Sequence, residues 1–508
     1  MIVGPVGGSA GSTRKGETRV SDSDGTSAIV IGAGIAGLAT ARVLSDHVDR
    51  VTVLERDRLP DDAVPRRGVP QGRHGHLLLA AGRRLLDGWF PGLTGELAAA
   101  GAVPLHGAGL VWHQGGGYRA RPDLGFLAMS ASRPLLEDAV RRCLLRQRRN
   151  VTVVDRTAVD GLVVATGRTA GARMLGASVD DARVTGVRVD GVEHRADLVV
   201  ACTGRNTRFL DQLAELGFPA PEVAAVRVDA AYASQLVRRG PDDLDGALAV
   251  VVDDRAGGHR TGTMVPVEGD RWLITIGSRH GEVPPSDPVE FENFARELPS
   301  PTIADVLTKA EALSPVLTHR IATDQRRQVE RLRRTPAGFL VLGDAICSLN
   351  PIHAQGVTSA ARQARALDRA LRRYGPTSPR LAGAFYRRAG RAVDALWRTA
   401  VGADFADPRT TGHRPVGTGL VNRYRNLVSR ACHTSPVVAR QALLVQHLLA
   451  RPVSLATPAM LLRVLLAVRH RPGRPPGSTL SGGRPGRGST SGGGRRSGSA
   501  ATANRADQ

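Results

Sequence analysis

Lysine is nearly missing from this 508-residue chain: Lys15 and Lys309 are the only two, although lysine and arginine together number 69. Almost all of the positive charge is therefore arginine. Aromatic residues are scarce too, at 4%, so alanine, leucine and valine must fill most of a core that a hydrophobic share of 42% supports. The four cysteines, Cys143, Cys202, Cys347 and Cys432, stand far apart. They form no metal-ligand spacing and fit reduced, buried thiols in a cytoplasmic protein. Long apolar runs are missing as well. The longest, near residues 441–450 and 458–468, are too short to span a bilayer. Residues 1–27 are rich in Gly and Ser and lack the apolar stretch of a secretory signal.

Acidic residues are absent from most of the last fifth of the chain. From Arg409 onward there are 16 arginines and one acid, Asp507, so this stretch carries most of the net +22 and residues 1–408 carry about +7. Its single aromatic, Tyr424, provides no stacking platform of the kind that nucleic-acid binding needs. Contact with an acidic partner or an anionic membrane surface is the expectation instead.

The length exceeds one compact core, which makes two domains the expectation. Glycine, by contrast with lysine, is plentiful at 59 residues, and two glycine-centred segments say what the chain holds. The first is Ile29-Val30-Ile31-Gly32-Ala33-Gly34-Ile35-Ala36-Gly37, followed by Val51-Thr52-Val53-Leu54-Glu55 and Arg56. Residues 28–31 read as a buried parallel strand. Gly32 turns the chain out of it, Gly34 lets a pyrophosphate approach the backbone, and Gly37 lets the next helix pack closely on the sheet. The amide groups at the start of that helix then face the phosphates. Glu55, 18 residues after Gly37, ends the second strand where a carboxylate accepts hydrogen bonds from ribose hydroxyls. The second segment is Phe339-Leu340-Val341-Leu342-Gly343-Asp344-Ala345, running through Asn350-Pro351 to Gln355-Gly356-Val357. Together the segments point to FAD held along its length.

Between them, the loop Arg66-Arg67-Gly68-Val69-Pro70-Gln71-Gly72-Arg73-His74-Gly75-His76 precedes a helix predicted over 77–90. Ser132 and Pro134 open a further helix through Leu145. Residues 151–200 read as a strand meander, and 225–238, 247–253 and 261–277 as a separate valine-rich sheet. Helices are predicted near 290–313, from Gly356, over 380–405 and over 420–470. The expected layout is a flexible leader at 1–27 and a nucleotide-binding domain at 28–220 that includes some strands of the other sheet. A substrate-domain sheet follows at 221–320, the second part of the nucleotide-binding domain at 321–400, a basic helical region at 401–470 and a disordered Pro/Gly/Ser/Arg tail at 471–508.

This ordered set resembles the FAD-dependent monooxygenases of the para-hydroxybenzoate hydroxylase fold over about residues 28–400. The resemblance implies an α/β fold, with a Rossmann-like FAD-binding domain interrupted by a mostly antiparallel β-sheet substrate domain and followed by C-terminal helices. It implies that Gly32, Gly34, Ala36, Gly37, Glu55 and Arg56 hold the ADP half of FAD. Arg67 would lie near the flavin, Arg133 near the phosphate and ribose, and Gly343 and Asp344 by the ribityl chain. Pro351, Gln355, Gly356 and Val357 would form a helix start facing the flavin ring. Two departures stand out. Thr203-Gly204 replaces the family's Asp-Gly, which leaves open whether NADPH, NADH or a separate reductase supplies electrons. Ala354 replaces the first glycine of Gly-Gln-Gly, which alanine tolerates only where positive φ is not needed.

The loop Gly68-Val69-Pro70-Gln71 with His74 and His76, and Cys347 to Pro351, look like the flavin epoxidases of polyether biosynthesis. That narrower resemblance implies transfer of one oxygen atom from O2, through a flavin hydroperoxide, to an alkene of an apolar polyketide or similar secondary metabolite. Aromatic-ring hydroxylation and isoprenoid reduction or cyclisation are the alternatives. A flavin halogenase is disfavoured, because neither lysine lies near these motifs and no Trp-x-Trp-x-Ile-Pro segment occurs. No general base is obligatory for epoxidation. His74, His76 and Arg67 are the candidates for a direct role, and support of the helix after Leu77 is the alternative for both histidines. His353 lies beside the expected ring site, where ordinary turn packing is equally open.

Overall fold

The computed structural model describes residues 25–125, 128–165, 182–253 and 259–469. Most of the expected leader and all of the tail at 471–508 lie outside the described residues. The chain begins with β1 (Ser27–Ile31), α1 (Ile35–Leu44) and β2 (Arg50–Leu54). Next come α2 (Ala80–Trp89), β3 (Leu110–Gln114), α3 (Arg133–Gln147), β4 (Val151–Val154) and β5 (Leu198–Ala201). A second sheet is built from β6 (Val223–Arg238), β7 (Ala249–Asp253), β8 (Thr261–Val267), β9 (Arg271–Ser278) and β10 (Leu317–Arg327). The chain returns to the first sheet with β11 (Phe339–Val341). The described residues finish in five helices: α4 (Gly356–Tyr374), α5 (Leu381–Asp404), α6 (Thr418–Ala431), α7 (Pro436–Gln446) and α8 (Pro458–Val468).

The first sheet is parallel, in the order β11-β5-β1-β2-β4. Its central strand β1 is buried along its whole length, with Ile29 in register with Val199 on one side and Thr52 on the other. Covered on both faces, such a strand reads as an unbroken apolar run, which is why 28–31 shows no alternation. Alanine does much of the packing where aromatics are few. Ala360, Ala361, Ala364 and Ala370 of α4 are buried and let that helix lie close to α1.

The second sheet is antiparallel except where β3 pairs in parallel with β7. Its strands therefore come from outside 221–320 as well: β3 is contributed from Leu110–Gln114, and β10 extends to Arg327. The predicted helix from Leu77 starts later, at Ala80, because Leu77 and Leu78 pair as a short strand with Ser130 and Met129. Ser132 caps α3 as its sequence position predicts, accepting a hydrogen bond from the Leu135 amide at 3.2 Å. The stretch 420–470 predicted as helical holds three helices, each of the last two beginning at a proline, Pro436 and Pro458. Among the described residues, no helix is long and apolar enough to cross a membrane.

Candidate functional site

The carboxyl ends of β1, β2 and β5 open onto one groove of about 450 Å³, the place where open parallel sheets bind ligands. Gly32, Gly34, Ala36, Glu55 and Arg56 line it from the first βαβ unit, and Arg133 from α3. Asp344, Pro351, Gln355, Gly356 and Val357 line it from the late segment. Gly37 and Gly343 do not line it; they set its walls. A Cβ on Gly37 would sit 1.8 Å from the Gly32 carbonyl oxygen, so only glycine lets α1 lie this close to the turn. A Cβ on Gly343 would come within 2.8 Å of the Ala36 Cβ, so the late segment abuts α1 directly. The Gly343 amide donates to Gln363 Oε1 at 2.8 Å, tying that turn to α4.

Other glycines border open space. A Cβ on Gly34 would meet nothing nearer than Glu137 Oε1 at 3.7 Å, and on Gly204 or Gly356 nothing within 4 Å. The helices α1 and α4 both start at the groove, so two sets of unpaired amide groups and two positive dipole ends face it. Gln355 Oε1 is buried without a hydrogen-bond partner among the described residues. Backbone left bare of side chains and paired helix starts suit an extended dinucleotide with an anionic centre, and Gln355 Oε1 can accept from a donor group elsewhere on it.

Charged side chains gather at the α1 end. Glu55 Oε2 accepts the Ala33 amide at 2.7 Å, and Oε1 the Asp57 amide at 3.1 Å. Arg66 pairs with Glu55 at 3.1 Å and with Asp57 and Glu137 at 3.2 Å. Burial works against its charge, yet Glu137, Glu55 and Asp57 together hold its pKa above the ordinary value. Arg133 pairs with Glu137 at 2.8 Å. Arg67 does not join them: it is exposed, and the groove is lined by its neighbour Arg66. The glycine-broken loop has no periodicity from which to choose between adjacent arginines. Asp344 lies in a desolvated position that raises its pKa, against the pull of Arg133 and Arg205.

Residues 27–361, which contain both glycine segments, match the family described as FAD dependent oxidoreductase. The chain belongs to that family. It is 33% identical over 427 residues to Protein Rv3254 of Mycobacterium tuberculosis, covering 81% of this chain and 87% of that one. Its structure is similar to PqsL of P. aeruginosa in complex with 2-aminobenzoylacetate, with a TM-score of 0.54 and 18% identity, over 75% of this chain and 98% of that one. PqsL is described as a probable FAD-dependent monooxygenase. It is also similar to 2-methyl-3-hydroxypyridine-5-carboxylic acid oxygenase, with a TM-score of 0.52 and 16% identity, over 80% of this chain and 93% of that one. At these identities the structural likeness shows a shared flavoprotein fold.

In this FAD-dependent oxidoreductase, His76 lines the groove and His74 does not. His74 is buried against the second sheet, with Nδ1 2.8 Å from Ser234 Oγ and its ring 5.4 Å from that of His319. His76 Nδ1 donates to the His74 carbonyl at 2.8 Å. Burial lowers both pKa values to about 4, so both imidazoles are neutral at pH 7 and neither supplies a fixed positive charge. Neither caps α2, whose N-cap is Leu79. His447 takes that place: its Nδ1 accepts the Ala80 amide at 3.4 Å and its carbonyl the Ala81 amide at 3.2 Å. No local pattern announces a partner 367 residues away.

Behind Asn350 and Pro351 lies a buried polar cluster that has no sequence signature. Asp404, at the end of α5, faces His353 Nε2 at 3.2 Å, Asn350 Nδ2 at 3.5 Å and Arg279 at 3.7 Å. Asp324 of β10 accepts the Asn350 amide, and Tyr232 donates to Asn350 Oδ1. Desolvation and the nearby charge of Asp404 raise the Asp324 pKa, whereas His353 and Arg279 keep Asp404 ionised. His353 is thus a partner of this cluster. The next residue, Ala354, adopts φ +51°, in the left-handed region. Alanine occupies the very conformation that the family's glycine would suit, at a cost of about 1 kcal/mol.

Proposed function

We propose that this chain is an FAD-dependent monooxygenase that inserts one oxygen atom of O2 into an apolar organic substrate, epoxidising an alkene of a polyketide or similar secondary metabolite. The observation that carries the reading is the groove shared by the two glycine segments, with helix starts from both. Gly34 would leave room for the pyrophosphate at α1, with Arg133 and Arg66 balancing its charge against Glu137. Glu55 would meet the adenosine ribose, and Asp344 the ribityl hydroxyls. Gly356 and Val357 would bring the α4 amides to the flavin ring, where a positive helix end stabilises added negative charge.

Bound FAD, once reduced, supplies the activation of O2. The protein's part is to bind, orient and exclude water. His76, neutral and tied through Nδ1 to the His74 carbonyl, presents a hydrogen-bonding ring edge without a charge that would draw in solvent. NADPH or NADH, used directly or through a separate flavin reductase, is the expected electron source.

The test begins with the visible spectrum of the purified protein and mass spectrometry of the released chromophore. Reduction under 18O2 with candidate alkenes and arenes then follows the label into product. A yellow protein that yields a singly labelled epoxide supports the reading. A labelled phenol moves it to aromatic hydroxylation, and a colourless protein that refuses added FAD ends it.

A further inference from the structure

The last three helices carry a surface that the oxidoreductase site does not use. Residues 409–469 contain nine arginines, no lysine and no acid. Arg423, Arg430, Arg440, Arg451, Arg463 and Arg469 are exposed, and among the described residues they make no ion pair. The same stretch exposes large aliphatic side chains, among them Leu420 at 75%, Leu462 at 59%, Leu465 at 56% and Leu466 at 49%.

Their placement on α8 is ordered. At about 100° per residue, Leu461, Leu465, Leu462 and Leu466 cover an arc of roughly 140°, with Arg469 inside it and Arg463 at its border. Val464 and Ala467 face the opposite way, buried against α6 and α7 with Val428, Ala431 and Val438. The helix is thus apolar on both sides, one side packed and the other open with arginine beside it. We propose that α8, with the exposed start of α6, docks this chain onto an anionic phospholipid surface.

The chemistry favours a lipid headgroup layer over an acidic protein. The four leucine side chains match acyl chains, and the arginines within and beside their arc match lipid phosphates. The sequence that follows is poor in apolar residues and rich in arginine. From His470 to the C-terminus the sequence holds one large aliphatic residue, Leu480, but adds seven arginines. That added charge favours an anionic surface over an uncharged apolar one.

The experiment is co-sedimentation of the full chain with vesicles of phosphatidylglycerol and phosphatidylcholine in equal parts, and with phosphatidylcholine alone. Binding to the mixed vesicles should be at least tenfold tighter and should weaken severalfold between roughly 0.1 and 0.5 M salt. The double variant Leu462→Asp, Leu465→Asp should lose at least tenfold in affinity. Its melting temperature and flavin content should stay unchanged, because both side chains are exposed. Equal binding to neutral vesicles, or a variant that binds like the parent, overturns the proposal. Sedimentation velocity supplies a further outcome: self-association that the same substitutions abolish would assign the face to a second copy of the chain and overturn lipid docking.

Discussion

The two turns that border the groove bring a helix start to it by different means. At the early turn the backbone is fixed by the chain's own packing: Gly32 holds φ +102°, and a Cβ on Gly37 would lie 1.8 Å from the Gly32 carbonyl oxygen. At the late turn Ala354 holds φ +51°, and Gly356 meets nothing within 4 Å. Polar contacts secure that second turn instead. The Asn350 side chain accepts the Ile352 amide at 3.3 Å, and Gln363 holds Gly343. Each pattern holds one glycine that packing requires, Gly37 early and Gly343 late, and one that leaves room for a ligand, Gly34 early and Gly356 late, a distinction invisible in the letters themselves.

Two substitutions at the early turn should separate the two requirements. The largest loss is expected for Gly37→Ala, which must push backbone aside and should cost about 3 kcal/mol or more. Urea denaturation checks this, and a midpoint within error of the parent would show that α1 is not held as tightly as described. Gly34→Glu should do the reverse. The fold should survive with a melting temperature close to that of the apoprotein, while FAD affinity falls about 100-fold, or about 2.7 kcal/mol. Full yellow colour in that variant would contradict the placement of the pyrophosphate.

The late turn is sharpened by its buried acids. Desolvation, with Asp404 nearby, raises the folded-state pKa of Asp324 to about 9, above roughly 3.9 for an unfolded aspartate. The folded protein keeps a proton that the unfolded chain releases. This group's contribution is therefore full below about pH 4 and is lost as pH rises towards 9. Asp324→Asn has no such proton to lose. Its stability relative to the parent should climb between pH 5 and pH 9, read as a widening gap in melting temperature; parallel curves would refute the shared burial of the two carboxyls. Ala354→Gly should gain about 0.5 kcal/mol, the left-handed strain relieved less the entropy that glycine brings. Removal of residues 471–508 should change neither turnover nor melting temperature, and a loss of activity there would shift the function towards the basic end of the chain.

How much was legible follows from how local each cause is. The first βαβ unit could be read closely, since strand, turn, helix and Glu55 lie within one short stretch and each residue acts on its neighbours. The late segment was readable as a strand-to-helix turn for the same reason. The partnership of β3 with β7 was not, because a parallel pairing across more than a hundred residues leaves no mark on either strand. Arg66 and Arg67 could not be told apart inside an aperiodic loop. The Asp324–Asp404 cluster and the His447 cap were hidden because their members are ordinary residues made special only by burial beside distant partners. Ala354 breaks a local preference, which occurs where surrounding structure over-determines the backbone.

The contact between Gly343 and Ala36 has a bearing on how the protein is made. Until Phe339 and the residues after it leave the ribosome, β5 has an uncovered flank and the groove has only one wall. A nascent chain that has not yet reached Phe339 therefore lacks one wall of the coenzyme groove.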